Sequence, residues 1–257
     1  MDADVFRVHA EVERRHWWFV ARRDILRAVL EHYLPADGSH TVTDIGCGVG
    51  ANAAAFHPGY RWIGYDPSVD AVAFARSAHP DVSFHVGSAA EAADTLARTD
   101  AALLTDVIEH VPDDRALLDA VVAPMKSGAY VLITVPAGME LWSPHDVALG
   151  HYRRYDVPSL TAAWAGIPVE PVFVSHFNSR LYLPVRAVRI LTSMLRHSAG
   201  ASGTDLGVPP GPVNAALERF FRGETARLVS AARRGRPAYS RGVSILALLR
   251  RTGTDRQ

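Results

Sequence analysis

The sequence has a single cysteine, Cys47, in 257 residues. No intramolecular disulfide and no thiolate-rich metal cage can form from it, which fits a reducing compartment and an expected cytoplasmic location. Long apolar runs are also lacking. The opening MDADVFRVHAEVERRHWWF carries acids from its second residue, unlike a secretory signal or a membrane-spanning helix, so a soluble protein is expected. There is no surplus of charge either, because 27 basic side chains balance 27 acidic ones. General nucleic-acid binders carry a basic excess that displaces counterions, so no nucleic-acid partner is expected. Lysine is nearly absent, with Lys126 the only one; that bias carries no mechanism.

What is present is the composition of a folded domain, with 48% hydrophobic and 21% charged residues. The length suits one large domain with an insertion. Apolar residues recur at Ile25, Leu26, Val29, Leu30 and Tyr33, one face of an amphipathic helix from Val20 to Leu34. After it, short β-branched or aromatic runs (TVTDI, YRWIGY, VSFHV, AALLT, YVLITV) alternate with alanine-rich helical stretches. Such alternation predicts right-handed crossovers and a parallel sheet covered on both faces. Beyond Pro136 come a polar and aromatic segment, a helix near Ser159 to Ala165, and a strand VEPVFVS. An amphipathic stretch RLYLPVRAVRILTSMLR follows, interrupted by Pro184, and then SAGASGTDLGVPPGP, which reads as a mobile loop. A further helix around Phe220 and Leu228 and a last strand VSILALL close the chain.

The first predicted strand runs into Asp44-Ile45-Gly46-Cys47-Gly48-Val49-Gly50, directly before the helical run ANAAAF. Glycines at a strand-to-helix turn let the backbone bend sharply and approach a ligand. About 20 residues on, YRWIGY ends at Asp66, where a carboxylate can accept from both hydroxyls of a ribose. Gly46, Gly48 and Ala51 also satisfy the spacing of a dinucleotide fingerprint. Gly50 and Asp44 oppose that reading, since a carboxylate two residues before the first glycine repels a pyrophosphate and attracts a cation.

TVTDIGCGVG resembles motif I of the class I S-adenosylmethionine-dependent methyltransferases. TDVIEHVPDD and MKSGAYVLITVPAG resemble later motifs of that family in order and spacing, over roughly Thr41 to Gly138. The resemblance implies a Rossmann-like α/β fold: a seven-stranded, mostly parallel sheet with the last strand antiparallel, preceded by N-terminal helices and interrupted by a helical insertion. It divides one domain into an N-terminal cap (1–39), a cofactor-binding core (40–136) and an acceptor-side half (137–257), with the insertion at about 178–235. It implies S-adenosylmethionine as cofactor and assigns it residues. Gly46, Cys47 and Gly48 would offer backbone groups within the Asp44 to Gly50 turn. Asp66 would hold the ribose and Pro67 flank the adenine. Ser88, where many members have aspartate, and Ala89 would border the adenine. Thr105, Asp106 and Val107 would close the methionine end. HWWFVARRDIL, HDVALGHYRRY and the GVSILAL strand resemble bacterial tailoring enzymes of polysaccharides and natural products.

Methyl transfer to oxygen or nitrogen often needs a base, and imidazole titrates near neutral pH. HDVALGHYRRY lies just beyond the fifth strand, at the edge where open α/β sheets bind ligands. His145 and His151 are therefore the candidate bases. Arg153 and Arg154 suit a clamp on a phosphate or carboxylate, or equally a loop closed by pairing with Asp156 or Glu140. Arg154 joins the two histidines as a candidate catalytic group. Trp18, His110, Tyr152, Arg153 and His176 form the expected acceptor side, with Trp17, Trp18 and Phe19 serving either as a lid or as a packing staple. His145, Asp146 and His151 lack a diagnostic metal spacing, and no metal is expected.

The resulting expectation is a methyltransferase acting on a small-molecule hydroxyl, of a sugar or secondary metabolite. Carbon or nitrogen methylation, a non-catalytic cofactor-binding module and an NAD(P)-dependent oxidoreductase are the alternatives. The arginines of the Leu181 to Leu195 stretch leave peripheral membrane contact open, and the chain is expected as a monomer or homodimer.

Overall fold

The computed structural model describes residues 10–194 and 207–253; residues 198–206 of the glycine-rich loop lie outside them. Strands β1 (Thr41–Ile45), β2 (Arg61–Asp66), β3 (Ser83–Val86), β4 (Ala101–Thr105), β5 (Tyr130–Pro136), β6 (Val169–Phe177) and β7 (Ser244–Arg251) form one sheet in the order β3-β2-β1-β4-β5-β7-β6. Neighbours from β3 to β5 pair in parallel, while β7 runs antiparallel to both β5 and β6. This is the Rossmann-like sheet expected, with the terminal strand inserted between β5 and β6.

Both faces of the sheet are buried, and successive strand residues go to opposite sides. Leu103, Leu132, Leu246 and Leu248 face one core, closed by Ile25, Leu26, Val29 and Leu30 of α1 (Trp17–Tyr33). The same core takes Phe221 from α9 (Gly211–Arg222) and Leu228 from α10 (Thr225–Ala232). Ala102, Leu104, Ile133 and Ala247 face the other core, covered by α4 (Ala93–Leu96), α5 (Asp114–Val122) and α7 (Val157–Ala163). Helices α2 (Ala53–Phe56) and α3 (Val69–Ala78) complete the β1 and β2 crossovers, and α6 (Pro144–Ala148) follows β5.

Local chemistry sets the helix bounds. α1 starts at Trp17, three residues before the periodicity suggests, because the His16 side chain caps it by accepting from the Trp18 amide. α7 starts two residues early on a capping box between Asp156 and Ser159. Pro184 does not interrupt its stretch. It is the third residue of α8 (Tyr182–Met194), in the first turn, where no amide needs an intrahelical acceptor. No helix among the described residues is long and apolar enough to cross a membrane.

The parallel run from β3 to β5 places the carboxyl ends of β1 and β4 side at the point where strand order reverses, where a crevice for a ligand opens. Close packing beneath it depends on Gly64 in the middle of β2. A Cβ there would lie 2.6 Å from Cδ1 of Phe84 and 2.8 Å from Sγ of Cys47. Gly64→Ala is expected to lower unfolding stability by about 1–3 kcal/mol through overpacking, measured by urea titration.

Candidate functional site

Gly46, Gly48 and Gly50 follow β1 with φ of 74°, 53° and 80°, a region that side chains with a Cβ rarely enter. A Cβ on Gly46 would lie 2.7 Å from the Val107 side chain, so the turn also lets β1 and the β4 loop meet; above Gly48 there is open space. The amides of this turn are engaged within the protein. Those of Gly46 and Cys47 donate to the Tyr65 carbonyl (2.8 and 3.0 Å), and that of Gly50 to the Cys47 carbonyl (2.9 Å). The Gly48 amide donates to Oδ2 of Asp66 (2.8 Å). A pyrophosphate needs free amides and a helix N-terminus, whereas here the amides of Gly46, Cys47, Gly48 and Gly50 are taken and α2 has only four residues. The donor pattern therefore fits a ligand that is itself a hydrogen-bond donor or a cation.

Asp66 ends β2, its Oδ1 accepting from the Ser68 amide (2.8 Å) and its Oδ2 from Gly48. Each oxygen retains capacity to accept a further hydrogen bond. Pro67 and Val69 beside it are exposed, as is Val86 at the end of β3, which leaves an apolar rim next to the carboxylate. Ser88 directs its amide and hydroxyl to Glu91, and Ala89 is buried in the core.

At the other end of the crevice, Asp44 is completely buried. Burial pushes its carboxyl up to about 7, against the hydrogen bond from Asn52 and the charge of Arg22. Its Oδ2 accepts from Asn52 Nδ2 (3.1 Å), which also donates to Thr105 Oγ1 (2.9 Å). Its Oδ1 has no partner, and such a buried orphan oxygen suits an ammonium or sulfonium ligand. Asp106, at φ 56°, pairs with the guanidinium of Arg22 and accepts from Thr134 Oγ1 (3.2 Å). Arg22 is buried beneath Trp18, its Cζ 4.7 Å from the ring centroid, and burial pushes it down to about 10. Trp18 thus stacks on Arg22, whereas Trp17 turns to α9, its amide donating to Asn214 Oδ1 (2.9 Å) and its ring meeting Phe221.

Arg22, Asn52 and Glu109 are site residues that sequence reasoning passed over. Trp18 and Arg22 stand four residues apart on α1, a spacing that puts them on one helix face and was readable in HWWFVARRDIL.

The segment HDVALGHYRRY is pinned along its length. The Tyr152 amide donates to the Glu109 carbonyl (2.8 Å), and Tyr155 exchanges backbone bonds with Pro136 and Gly138. Asp146, fully buried on α6, is the hub. Its Oδ1 accepts from Nε of Arg154 (2.7 Å) and lies 3.0 Å from Nδ1 of His151. Its Oδ2 caps the Ser143 amide (2.9 Å) and lies 4.0 Å from Arg189 of α8. Burial opposes its ionisation, but His151 and Arg154 outweigh that and hold the carboxyl far below the usual range. The His151 ring meets His110 edge-on at 4.7 Å. Burial and His151 push His110 down to about 4. Behind them Glu109 is completely buried, neither carboxylate oxygen has a hydrogen-bond partner, and burial pushes it up to about 8.

Other expected acceptor-side residues are placed differently. Arg154 is buried, and its guanidinium holds Asp146 and the Ala137 carbonyl (3.1 Å), which corrects its ranking as a group acting on an acceptor. Arg153 binds Asp114 (3.0 Å) and the carbonyls of Val111 and Pro112. Both arginines hold the loop, through Asp146 and Asp114 rather than Asp156 or Glu140. His145 is half-buried in the first turn of α6, and Tyr152 is exposed. His176 lies on the edge strand β6, lining a cavity of about 600 Å³ with Arg227, Tyr239 and Arg241. Arg154→Ala would strand the buried Asp146 charge and is expected to lower stability by about 3–5 kcal/mol. Arg154→Lys should recover only part of it, because an ammonium lacks the guanidinium fork; chemical denaturation of both variants checks this.

Residues 15–170 match the methyltransferase domain family. The ubiquinone biosynthesis O-methyltransferase of Rhodopseudomonas palustris (strain BisA53) is 32% identical over 151 residues, covering 56% of this chain and 59% of that protein. The match thus spans less than two thirds of that relative. Solved structures share the fold at low identity. A candidate sarcosine dimethylglycine methyltransferase from Galdieria sulphuraria aligns over 98% of this chain and 99% of its own, with TM-score 0.61 and 11% identity. Geranyl diphosphate C-methyltransferase from Streptomyces coelicolor A3(2), crystallised with S-adenosyl-L-homocysteine, aligns over 91% and 76%, with TM-score 0.54 and 15% identity. Phosphoethanolamine N-methyltransferase 2 of Haemonchus contortus, with S-adenosyl-L-methionine, aligns over 90% and 53%, with TM-score 0.53 and 18% identity. With its sheet order, its glycine turn and a family match over more than half its length, the chain belongs to the methyltransferase domain family, the class I S-adenosylmethionine-dependent fold that its motifs resemble.

Proposed function

We propose that the chain transfers the methyl group of S-adenosylmethionine to a hydroxyl of a small molecule, a sugar or secondary metabolite. One observation carries the reading: a crevice suited to a cationic nucleoside and the Asp146–His151 pair stand at the same edge of the sheet. Asp66 would accept from the ribose hydroxyls and Pro67 flank the adenine, with Ser88 and Ala89 at its border. Asp44 and the carbonyls of the Gly46 to Gly48 turn would take the ammonium of the methionine part, and Arg22 its carboxylate. Thr105, Asp106 and Val107 would wall that end.

The bound cofactor supplies an electrophilic methyl carbon on a sulfonium. The chain's part is alignment of the acceptor and exclusion of water, which favour in-line displacement. Transfer would join the acceptor oxygen to the methyl carbon as its bond to sulfur breaks, with S-adenosylhomocysteine as the leaving group, and the hydroxyl proton would leave to solvent through the group of polar side chains around His151. Support for oxygen as the acceptor atom comes from that group and from the R. palustris relative, whose name is that of an O-methyltransferase.

Asp66→Ala is expected to weaken S-adenosylmethionine binding by about tenfold or more, the value of one or two hydrogen bonds involving a charged group, read by calorimetry. His151→Ala is expected to lower turnover by about 100-fold or more while leaving cofactor affinity unchanged. S-adenosylhomocysteine formation over a panel of hydroxylated metabolites measures this, and undiminished turnover would sink the role given to His151.

A further inference from the structure

The same acceptor edge carries a second feature. We propose that Glu109, His110 and His151 hold a divalent transition-metal ion that presents itself to the acceptor oxygen. One potential ligand atom from each residue lies within 4.8 Å of the others. Atoms bound at the usual 2.0–2.2 Å from one metal are about 3–4 Å apart, so a slight closure brings all three into a first coordination shell.

Three observations point to a cation. Glu109 is completely buried and neither carboxylate oxygen has a hydrogen-bond partner, an arrangement that is costly without a ligand. His151 presents Nδ1 to Asp146 at 3.0 Å, which leaves Nε2 as its other ligand atom. A carboxylate behind a metal-bound imidazole fixes its tautomer and orientation. His110 has its ring fixed by the Leu149 backbone on one side and by His151 on the other.

The surrounding charges agree with this. Arg22 and Arg154 approach Glu109, but each is already paired, with Asp106 and Asp146 respectively. Glu109 is therefore the carboxylate left over. Two imidazoles and one carboxylate favour manganese, iron, cobalt or zinc over magnesium or calcium, which prefer all-oxygen shells. Three protein ligands leave positions open for an acceptor. The set differs from the His145, Asp146 and His151 combination, whose spacing in the sequence is not diagnostic and from which no metal is expected; Asp146 stands behind His151 as its hydrogen-bond partner.

The inference rests on the acceptor meeting the cofactor at this edge, and the test separates the two. The full chain is stripped with a chelator, dialysed, and titrated calorimetrically with Mn²⁺, Zn²⁺ and Mg²⁺, and with Co²⁺ followed by its visible absorption. One equivalent of Co²⁺ and Zn²⁺ should bind, with Mg²⁺ much weaker. Glu109→Gln and His151→Ala should each weaken Co²⁺ binding by at least about tenfold, and Asp146→Asn by about 10–100-fold as the supporting carboxylate. S-adenosylmethionine affinity, measured on the same samples, should stay unchanged and show that the crevice is intact. If a buried substitution unfolds the chain, His110→Ala, at an exposed position, gives the same readout. Failure of the stripped chain to bind stoichiometric metal, or equal affinity in wild type and His110→Ala, overturns the proposal. Chelator-insensitive methyl transfer with no metal bound would overturn it while leaving the methyltransferase reading standing; bound metal without S-adenosylmethionine binding would do the reverse.

Discussion

The carbonyl of Tyr65 accepts from the amides of both Gly46 and Cys47, and much of the site depends on that shared acceptor. It ties the turn after β1 to the end of β2, and the Gly48 amide repeats the tie through Asp66. A loop whose amides are engaged in this way exposes acceptors, not donors. The fold that elsewhere cradles pyrophosphates on free amides is thereby converted into one that suits a positively charged ligand. Backbone hydrogen bonding of a few residues decides the class of molecule the crevice takes.

Around that turn one buried arginine stands among several carboxylates. Asp44, Asp106 and Glu109 bring three carboxylates to the carboxyl edge of the sheet, and Arg22 reaches them from α1 beneath Trp18. Isolated charges would be very costly in such an environment. The N-terminal helix is therefore more than a cover for the sheet: its apolar face closes one core, and one turn of it completes the electrostatics of the crevice. That dual role explains why Trp17 and Trp18, adjacent in sequence, serve different ends, one packing on α9 and the other on Arg22. Side chains one position apart on a helix point about 100° apart.

In the segment after β5 Asp146 is the centre. This buried carboxylate holds Arg154, orients His151 and caps the start of α6. Arg153, through Asp114, fastens the same segment to α5. A loop so thoroughly fastened acts as a rigid wall, which suits a reaction limited by alignment. It also directs His151 toward His110 and Glu109.

Strand rhythm, the glycine turn and Asp66 could be read from the sequence because each depends on neighbours a few residues away: period-two apolar runs, positive φ, and a fixed spacing to the end of β2. The seven strands follow those runs closely, and the bounds of α1 and α7 moved only where capping side chains acted. The sequence by itself thus determined the fold class and the glycine turn from which the candidate crevice is built. Tertiary structure alone decided the rest. That Arg22 pairs with Asp106 across 84 positions is a consequence of α1 folding over the sheet, and Glu109 meets His151 because the segments that follow the paired strands β4 and β5 lie side by side. Linear spacing cannot report these contacts, because the side chains involved are brought together by long-range packing and by the need to compensate buried charge.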